Sequence, residues 1–232
     1  MSNVTSTHGA GHNEVLYEIE DGAIALITLN APERMNTISG PMLGELTRLL
    51  VKANEDPAVR CVILTGVGRA FCAGLDLRQE RDGGGISSAA SPTNLDLRNT
   101  PPTVMFEMDK PIICAVNGGA AGYGMDTALG CDIRLMAESA KMAAAFVKRG
   151  VVPESGGTWF LPRMLGWAKA SELIFTGRTL SARECLEWGI ANEVVADGEL
   201  MGRARALARE IAANAPLAVQ AAKRMMRMGL NE

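Results

Sequence analysis

Residues 115–126 read Ala-Val-Asn-Gly-Gly-Ala-Ala-Gly-Tyr-Gly-Met-Asp. They continue an apolar run that starts at Pro111, so the sequence predicts a buried strand that stops at the Asn-Gly pair. The glycines that follow let the backbone approach a ligand or another segment more closely than side chains would allow. Two interpretations are open at this point: a site for a ligand, or a strand-to-helix turn without chemistry.

A short helix is predicted to begin inside this turn, because Met125, Leu129 and Ile133 recur at helical spacing. The first N–H groups of a helix have no acceptor within the helix, and they form the positive end of its dipole. The turn is therefore a place where an anion, or the oxyanion of a reacting carbonyl, can be held.

Composition narrows the functional classes. The chain has 232 residues, 47% of them hydrophobic and 21% charged, enough for one large domain or two small ones. A net charge of −3 argues against general attraction to nucleic acid or to an anionic membrane surface. No apolar run approaches the length of a membrane-spanning helix, so no membrane partner is expected. Residues 1–14 are predicted to be a flexible tail.

Cysteine and histidine usage restricts the chemistry further. The five cysteines form no Cys-x-x-Cys pair, which predicts reduced thiols in a cytoplasmic protein and neither a disulfide frame nor a metal site. The only histidines are His8 and His12, both in the predicted tail. Cys72 is therefore rejected as a nucleophile, since it lacks a histidine partner. If the protein is an enzyme, its acid or base is expected to be a carboxylate.

The order of predicted elements indicates an α/β protein. Two β-rich runs flank Asp21-Gly22, a strong hairpin signal, and Ser39 is the predicted cap of the next helix. An apolar run over residues 59–65 predicts a strand buried on both faces.

Two further stretches complete this order. Residues 79–103 predict a long loop, with order returning at the Pro111 strand. Beyond residue 155 helices predominate, with Ser181 and Glu184 as a capping box and Asp197 as the cap of the following helix. The basic residues near the end of the chain favour an amphipathic helix over a face for CoA phosphate or nucleic acid: Lys223, Arg224 and Arg227.

Five segments, in order, resemble signature segments of the crotonase (enoyl-CoA hydratase/isomerase) superfamily. They are Leu29-Asn-Ala-Pro-Glu-Arg-Met-Asn, Gly68-Arg-Ala-Phe-Cys-Ala-Gly-Leu-Asp-Leu, Ala115-Val-Asn-Gly-Gly-Ala-Ala-Gly-Tyr-Gly, Gly150-Val-Val-Pro-Glu-Ser-Gly-Gly-Thr and Phe175-Thr-Gly-Arg-Thr-Leu-Ser-Ala-Arg-Glu-Cys. The resemblance implies a crotonase-like (ClpP/crotonase) spiral of ββα units over residues 15–190. It also implies a helical C-terminal segment, residues 191–232, shorter than is usual in the family, and a homotrimer or dimer of trimers.

The same resemblance implies that two backbone N–H groups bind the thioester oxygen of an acyl-CoA substrate. Residue by residue, these are the amides of Leu75 and Tyr123, although the family usually has glycine at the position of Tyr123. Neighbouring residues are implied to line the substrate site: Ala73, Gly74, Asp76, Leu77 and Gly122. Arg34 is a candidate contact for a CoA phosphate, with a solvated loop arginine as the alternative.

For the acid and base, the hydratases and the isomerases of the family imply different residues. Hydratases of the family hold a water between two glutamates, whose positions here carry Asp126 and Phe146, and phenylalanine cannot transfer a proton. Glu154 falls where family isomerases place their catalytic carboxylate. The favoured hypothesis is a 3-enoyl to 2-enoyl double-bond shift with Glu154 as base.

Three alternatives are kept. One is water addition to a 2-enoyl-CoA using Asp126, and another is a non-catalytic acyl-CoA-binding subunit. In the third, each carboxylate is structural: Glu154 at a helix N-terminus, and Asp126 as a helix cap or a group that orients a partner. Coenzyme A enters only as part of the substrate, and no other cofactor or metal is implied.

Overall fold

The computed structural model describes residues 13–76, 100–153 and 155–230. Most of the predicted tail, with both histidines, lies outside the described residues, as does most of the predicted loop. So do two of the predicted site residues, Leu77 and Glu154.

Ten strands and eight α-helices lie in the described residues. The strands are β1 (Val15–Glu20), β2 (Ile24–Leu29), β3 (Cys61–Gly66), β4 (Ala70–Cys72), β5 (Ile112–Val116), β6 (Gly119–Ala121), β7 (Ile133–Ala137), β8 (Lys141–Ala143), β9 (Thr179–Ser181) and β10 (Glu193–Val195). The helices are α1 (Gly40–Glu55), α2 (Pro101–Glu107), α3 (Tyr123–Leu129), α4 (Gly157–Leu165), α5 (Trp167–Thr176), α6 (Ala182–Trp188), α7 (Leu200–Ala212) and α8 (Pro216–Gly229). None of these helices combines the length and hydropathy needed to cross a membrane.

The first sheet has the strand order β1-β2-β3-β5-β7-β10. Its first pair is the predicted hairpin, in which Asp21 and Gly22 have φ of 51° and 67°, as a tight turn between antiparallel strands requires. The remaining neighbours run parallel. All residues of β3 from Cys61 to Thr65 are buried, so both faces of this strand are covered, as its apolar run predicts.

The second sheet has the order β4-β6-β8-β9. From β3 to β8, consecutive strands alternate between the first and second sheets, with α3 following the β5-β6 pair. The chain therefore winds as the spiral of ββα units that the resemblance implies. The strands of this sheet have three residues each, too few to produce a periodic signal in the sequence.

Helix ends test the local predictions. Ser39 caps α1 by accepting a hydrogen bond from the Met42 amide at 3.1 Å, and the capping box of Ser181 and Glu184 is present. The prediction for Asp197 is wrong: its carboxylate accepts from the Ser139 amide at 3.0 Å and does not cap α7.

Three boundaries differ from the predictions. Residues 101–103, the end of the predicted loop, form the first turn of α2, because two consecutive prolines stand there, where a missing N–H costs nothing. Helix α3 ends at Leu129, and Ile133 begins β7 instead of continuing the helix. Strand β10 pairs with β7, so the first sheet continues beyond the boundary predicted at residue 190.

The basic residues of α8 attach this helix to the body. Lys223 is 6% exposed, and its ammonium donates to Asp132 at 2.7 Å and to the carbonyls of Met105 and Lys110 at 3.1 and 3.0 Å. Arg224 and Arg227, one helical turn apart, both pair with Asp109. The structure thus gives the basic residues the structural role expected of an amphipathic helix.

We expect Lys223→Ala to lower the free energy of unfolding by about 2–4 kcal/mol. The change leaves the Asp132 carboxylate and two carbonyl oxygens without their buried cationic donor. Urea denaturation followed by circular dichroism measures the loss.

The matched control is Arg224→Ala, which removes an ion pair whose arginine side chain is 58% exposed. Its expected cost is below about 1 kcal/mol, because solvent screens an exposed pair. Equal losses in the two variants would contradict the assignment of Lys223 as the anchoring residue of α8.

Candidate active site

The turn between β3 and β4 and the turn between β5 and β6 are hydrogen-bonded to each other through Asn117. Its side-chain oxygen accepts from the Gly66 amide at 3.1 Å, and its side-chain nitrogen donates to the Gly68 carbonyl at 2.9 Å. One asparagine therefore satisfies backbone groups that a turn would otherwise leave unpaired. The sequence signal for this role is an asparagine placed directly after a buried strand and before two glycines.

A second asparagine attaches the loop before α1 to the first turn. Asn36 is fully buried in a left-handed conformation, and its side chain donates to the carbonyls of Val67 and Ala70 at 2.9 and 2.8 Å. Its side-chain oxygen accepts from the Ala31 amide at 2.8 Å. This bridging role was not predicted, because the partners lie more than 30 residues away along the chain.

The two turns also approach each other more closely than side chains permit. A Cβ atom on Gly124 would lie within 3.0 Å of the Cys72 carbonyl oxygen, and one on Gly118 would be equally close to the Arg69 carbonyl. Real Cβ atoms do not come this close to other heavy atoms. The predicted close backbone approach is confirmed for Gly118 and Gly124, and the neighbouring segment is β4 with the residue before it. It is wrong for Gly119, where a Cβ atom would have no neighbour within 4 Å.

The two amides implied as oxyanion donors follow glycines with positive φ. Gly74 has φ of 110° and precedes Leu75, while Gly122 has φ of 53° and precedes Tyr123. Such conformations set the direction of the next N–H and are readily adopted only by glycine. A Cβ atom on Gly74 would lie 3.1 Å from the Ala121 carbonyl oxygen and 4.0 Å from the Tyr123 nitrogen. The two donor segments are therefore adjacent.

The segment around Leu75 is held by Ile38 on both sides. The Ile38 amide donates to the Gly74 carbonyl at 2.8 Å, and its carbonyl accepts from the Asp76 amide at 3.0 Å. These two hydrogen bonds use the Gly74 carbonyl and the Asp76 amide, the groups on either side of the Leu75 N–H. The Leu75 N–H itself donates to none of the described residues. Tyr123 is the first residue of α3, so its N–H points out of the start of that helix.

Asp126 lies fully buried in α3, against the start of α4. A Cβ atom on Gly157 would lie 2.6 Å from its Oδ1 and 3.0 Å from the Cβ of Pro153. The residue that directly precedes Glu154 in the sequence thus lies at the same turn as the Asp126 carboxylate.

Phe146 is buried beside the second donor segment. It is 5% exposed, and a Cβ atom on Gly122 would lie 3.9 Å from its ring. Tyr123 is 7% exposed. Two buried aromatic side chains therefore adjoin the Tyr123 amide, and a low local dielectric strengthens the interaction of an N–H with a negative charge.

Arg34 lies in the loop that Asn36 anchors. Its guanidinium pairs with Glu14 at 2.7 Å, and its side chain is 14% exposed. Contact between Arg34 and a CoA phosphate stays a prediction. The structure brings together the other described residues of the predicted site: Ala73, Gly74, Leu75, Asp76, Gly122, Tyr123 and Asp126.

Cys72 is buried beneath this site. Burial raises the pKa of its thiol to about 12, because the thiolate would lose its hydration. The thiol is therefore neutral near pH 7, which agrees with its rejection as a nucleophile.

The chain matches the enoyl-CoA hydratase/isomerase family over residues 19–232. It is 42% identical over 199 residues to a 1,2-epoxyphenylacetyl-CoA isomerase of Escherichia coli K12, covering 85% of this chain and 76% of that protein. It is 38% identical over 216 residues to the carnitinyl-CoA dehydratase of the same strain, covering 93% and 81%. A solved enoyl-CoA hydratase from Bacillus anthracis superimposes with a TM-score of 0.88 at 35% identity, covering 95% of this chain and 84% of that one.

We expect Gly124→Ala to disrupt the site, because the new methyl group would collide with the Cys72 carbonyl and push α3 away from β4. The expected loss of stability is about 1–3 kcal/mol or more, the usual cost of overpacking. Thermal unfolding measures it. The matched control is Gly119→Ala at the start of β6, where a Cβ atom would have no neighbour within 4 Å. Similar losses in both variants would contradict the close-approach argument.

Iodoacetamide at pH 8 is expected to leave Cys72 unmodified in the folded protein. Because its pKa is raised to about 12 by burial, the thiolate is scarcely populated at pH 8. Mass spectrometry of the digested protein reads the labelling, and protein unfolded in urea before labelling is the control. Rapid modification of native Cys72 would show that this thiol is accessible and ionised.

Proposed function

The chain belongs to the enoyl-CoA hydratase/isomerase family, and we propose that it moves the double bond of an enoyl-CoA from the 3- to the 2-position. One observation carries the choice within the family. Phe146 is buried beside Gly122, and by the resemblance it takes the position of the second glutamate of the family's hydratases. A double-bond shift needs only one carboxylate, whereas holding and splitting a water between two glutamates needs both.

In the proposed reaction a carboxylate removes a proton from carbon 2 of the 3-enoyl thioester. The electron pair moves onto the thioester oxygen, giving a dienolate, and the same proton returns to carbon 4. The double bond then lies between carbons 2 and 3, conjugated with the carbonyl. Atoms and electrons balance without an oxidant, a metal or water.

The negative charge that develops on the thioester oxygen is assigned to the amides of Leu75 and Tyr123. Both follow glycines held in left-handed conformations, and the two segments are adjacent. Donors fixed before the reaction stabilise the enolate more than the neutral thioester, and each one is typically worth about 3–4 kcal/mol of barrier. The buried ring of Phe146 supports this assignment by keeping the surroundings apolar.

Glu154 is proposed as the proton carrier on the strength of the resemblance. Supporting this, its sequence neighbour Pro153 lies at the turn that contacts Asp126. Asp126 is proposed to assist the base from this turn, and it is the carrier in the alternative reaction.

The alternative is water addition to a 2-enoyl-CoA with Asp126 as the proton-transferring group. Complete burial of this carboxylate against the start of α4 favours it, as does the similarity to a dehydratase and to a hydratase structure. A non-catalytic acyl-CoA-binding subunit is the third outcome that the assays distinguish.

The CoA thioesters in the names of both relatives support an acyl-CoA substrate. In this proposal coenzyme A arrives with the substrate, and the protein uses no separate cofactor. By the same family resemblance we propose a homotrimer or a dimer of trimers, which light scattering coupled to size-exclusion chromatography measures.

We expect Glu154→Gln to lower kcat for conversion of a 3-enoyl-CoA to its 2-enoyl isomer by roughly 10²–10⁴-fold, the usual contribution of a positioned base. The absorbance of the conjugated thioester follows the reaction, and mass analysis separates the isomer from a hydrated product. The matched control is Glu187→Gln, which changes an exposed carboxylate that pairs with Arg183.

Comparison with Asp126→Asn assigns the reaction. Hydration of a 2-enoyl-CoA that depends on Asp126, with no double-bond shift, would replace the proposal with the hydratase alternative. Tight binding of acyl-CoA without turnover of any enoyl thioester would replace it with the binding-subunit alternative. Unchanged turnover in Glu154→Gln would remove Glu154 as the base.

A further inference from the structure

Arg134, the second residue of β7, lies buried at the C-terminal end of α3. It is 6% exposed, and its Nε donates to the Ile190 carbonyl at 2.6 Å. Its Nη1 donates to the Cys131 carbonyl at 2.5 Å and lies 3.5 Å from the carbonyl oxygens of Ala128 and Leu129. The guanidinium therefore lies against the carbonyls at the end of α3 and just beyond it, of which that of Ala128 also accepts from the Cys131 amide at 3.3 Å.

The partners of this guanidinium are unusual for a buried charge. Each of its hydrogen bonds within the described ranges goes to a backbone carbonyl, and the neighbouring Asp132 is engaged by Lys223 at 2.7 Å. Burial lowers the pKa of Arg134, because the charged form loses its hydration. The carbonyl dipoles at the negative end of α3 compensate this loss.

The base of the Arg134 side chain is fixed as well. Its amide donates to the Asn192 side chain at 2.9 Å, and its carbonyl accepts from the Asn192 amide at 2.8 Å. Strand β7 is itself paired on both sides, with β5 and β10. The guanidinium is thus attached to a rigid part of the first sheet.

Helix α3 connects this end to the site. It has seven residues, so its two ends are roughly 10 Å apart. Tyr123 is its first residue and Asp126 its fourth. In a helix this short, a displacement of the C-terminal end is transmitted to the N-terminal amide, because no intervening bend absorbs it.

We propose that Arg134 is a positioning residue, which fixes the C-terminal end of α3 and thereby holds the Tyr123 amide and the Asp126 carboxylate in place for the reaction. The inference rests on the proposed function, in which the Tyr123 amide binds the developing oxyanion. Arg134 is proposed to act through α3 and not by a contact of its own with the thioester. Loss of Arg134 is therefore expected to weaken binding of the negatively charged enolate more than binding of the neutral thioester.

Arg134→Met tests the inference, because it removes the charge and the donors and keeps an unbranched side chain. Two CoA thioesters serve as probes: butyryl-CoA, a neutral saturated ester, and acetoacetyl-CoA, whose enolate is seen by its near-ultraviolet absorbance. We expect kcat and the affinity for the acetoacetyl-CoA enolate to fall together by roughly tenfold or more, part of the roughly 10²–10³-fold loss that follows complete removal of one oxyanion donor. KM and the affinity for butyryl-CoA are expected to change by less than about twofold.

Arg60→Met is the matched control, since Arg60 also donates to the last carbonyl of a helix, that of Ala212 in α7, at 3.0 Å, but is exposed and remote from the site in sequence. Arg134→Lys keeps the cation with fewer donors and is expected to recover part of the loss. If Arg134→Met does not fold, the same rate and binding measurements are made on Arg134→Lys. Its enolate affinity is then expected to fall below that of the wild type.

Two results would overturn the inference: equal losses for butyryl-CoA and the enolate, or a folded variant with unchanged enolate affinity. Failure of the proposed function gives a different result. In that case the wild-type protein itself would bind the enolate no better than butyryl-CoA, and both proposals would fall together.

Discussion

The structure depends on the close contact between the start of α3 and strand β4. Gly124 lies so near the Cys72 carbonyl that no side chain fits, and Gly118 is in the same relation to the Arg69 carbonyl. Asn117 adds hydrogen bonds between the same two turns. The strands of the second sheet have three residues each and so form few ladder hydrogen bonds. The contacts between the turns therefore help to fix this sheet relative to the first one.

The same contact arranges the electrostatics of the site. It places the backbone segments of Leu75 and Tyr123 next to each other, beside the buried side chains of Phe146 and Tyr123. Charges are stronger in such surroundings than at the surface, so small displacements of a donor have large effects. Helix α3 extends over two turns from the Tyr123 amide. The Asp126 carboxylate lies within it, and the Arg134 cation lies at its C-terminal end.

Local signals were sufficient for part of this arrangement. The Asp21-Gly22 hairpin and the Ser39 cap are each encoded within a few neighbouring residues. The glycine-rich turn after β5 is likewise visible in the sequence, because it follows directly on a buried apolar run. Long-range pairing left no comparable signal. Strand β10 and the second sheet form only when distant segments meet, and the role of Arg134 is invisible in sequence because its partners are carbonyls, which every residue carries.

The choice between water addition and a double-bond shift depends on what lies on either side of the proposed oxyanion. A water that is to attack carbon 3 must be oriented by acceptors that also take and give its protons. The resemblance implies Phe146 at one of the two family positions for such acceptors, and its buried ring offers neither a lone pair nor a proton. A proton that moves between two carbons of the same substrate needs a single carboxylate and a dry pocket. A phenylalanine beside the Tyr123 amide would hinder the first reaction and help the second, and this difference is the basis of the proposed double-bond shift.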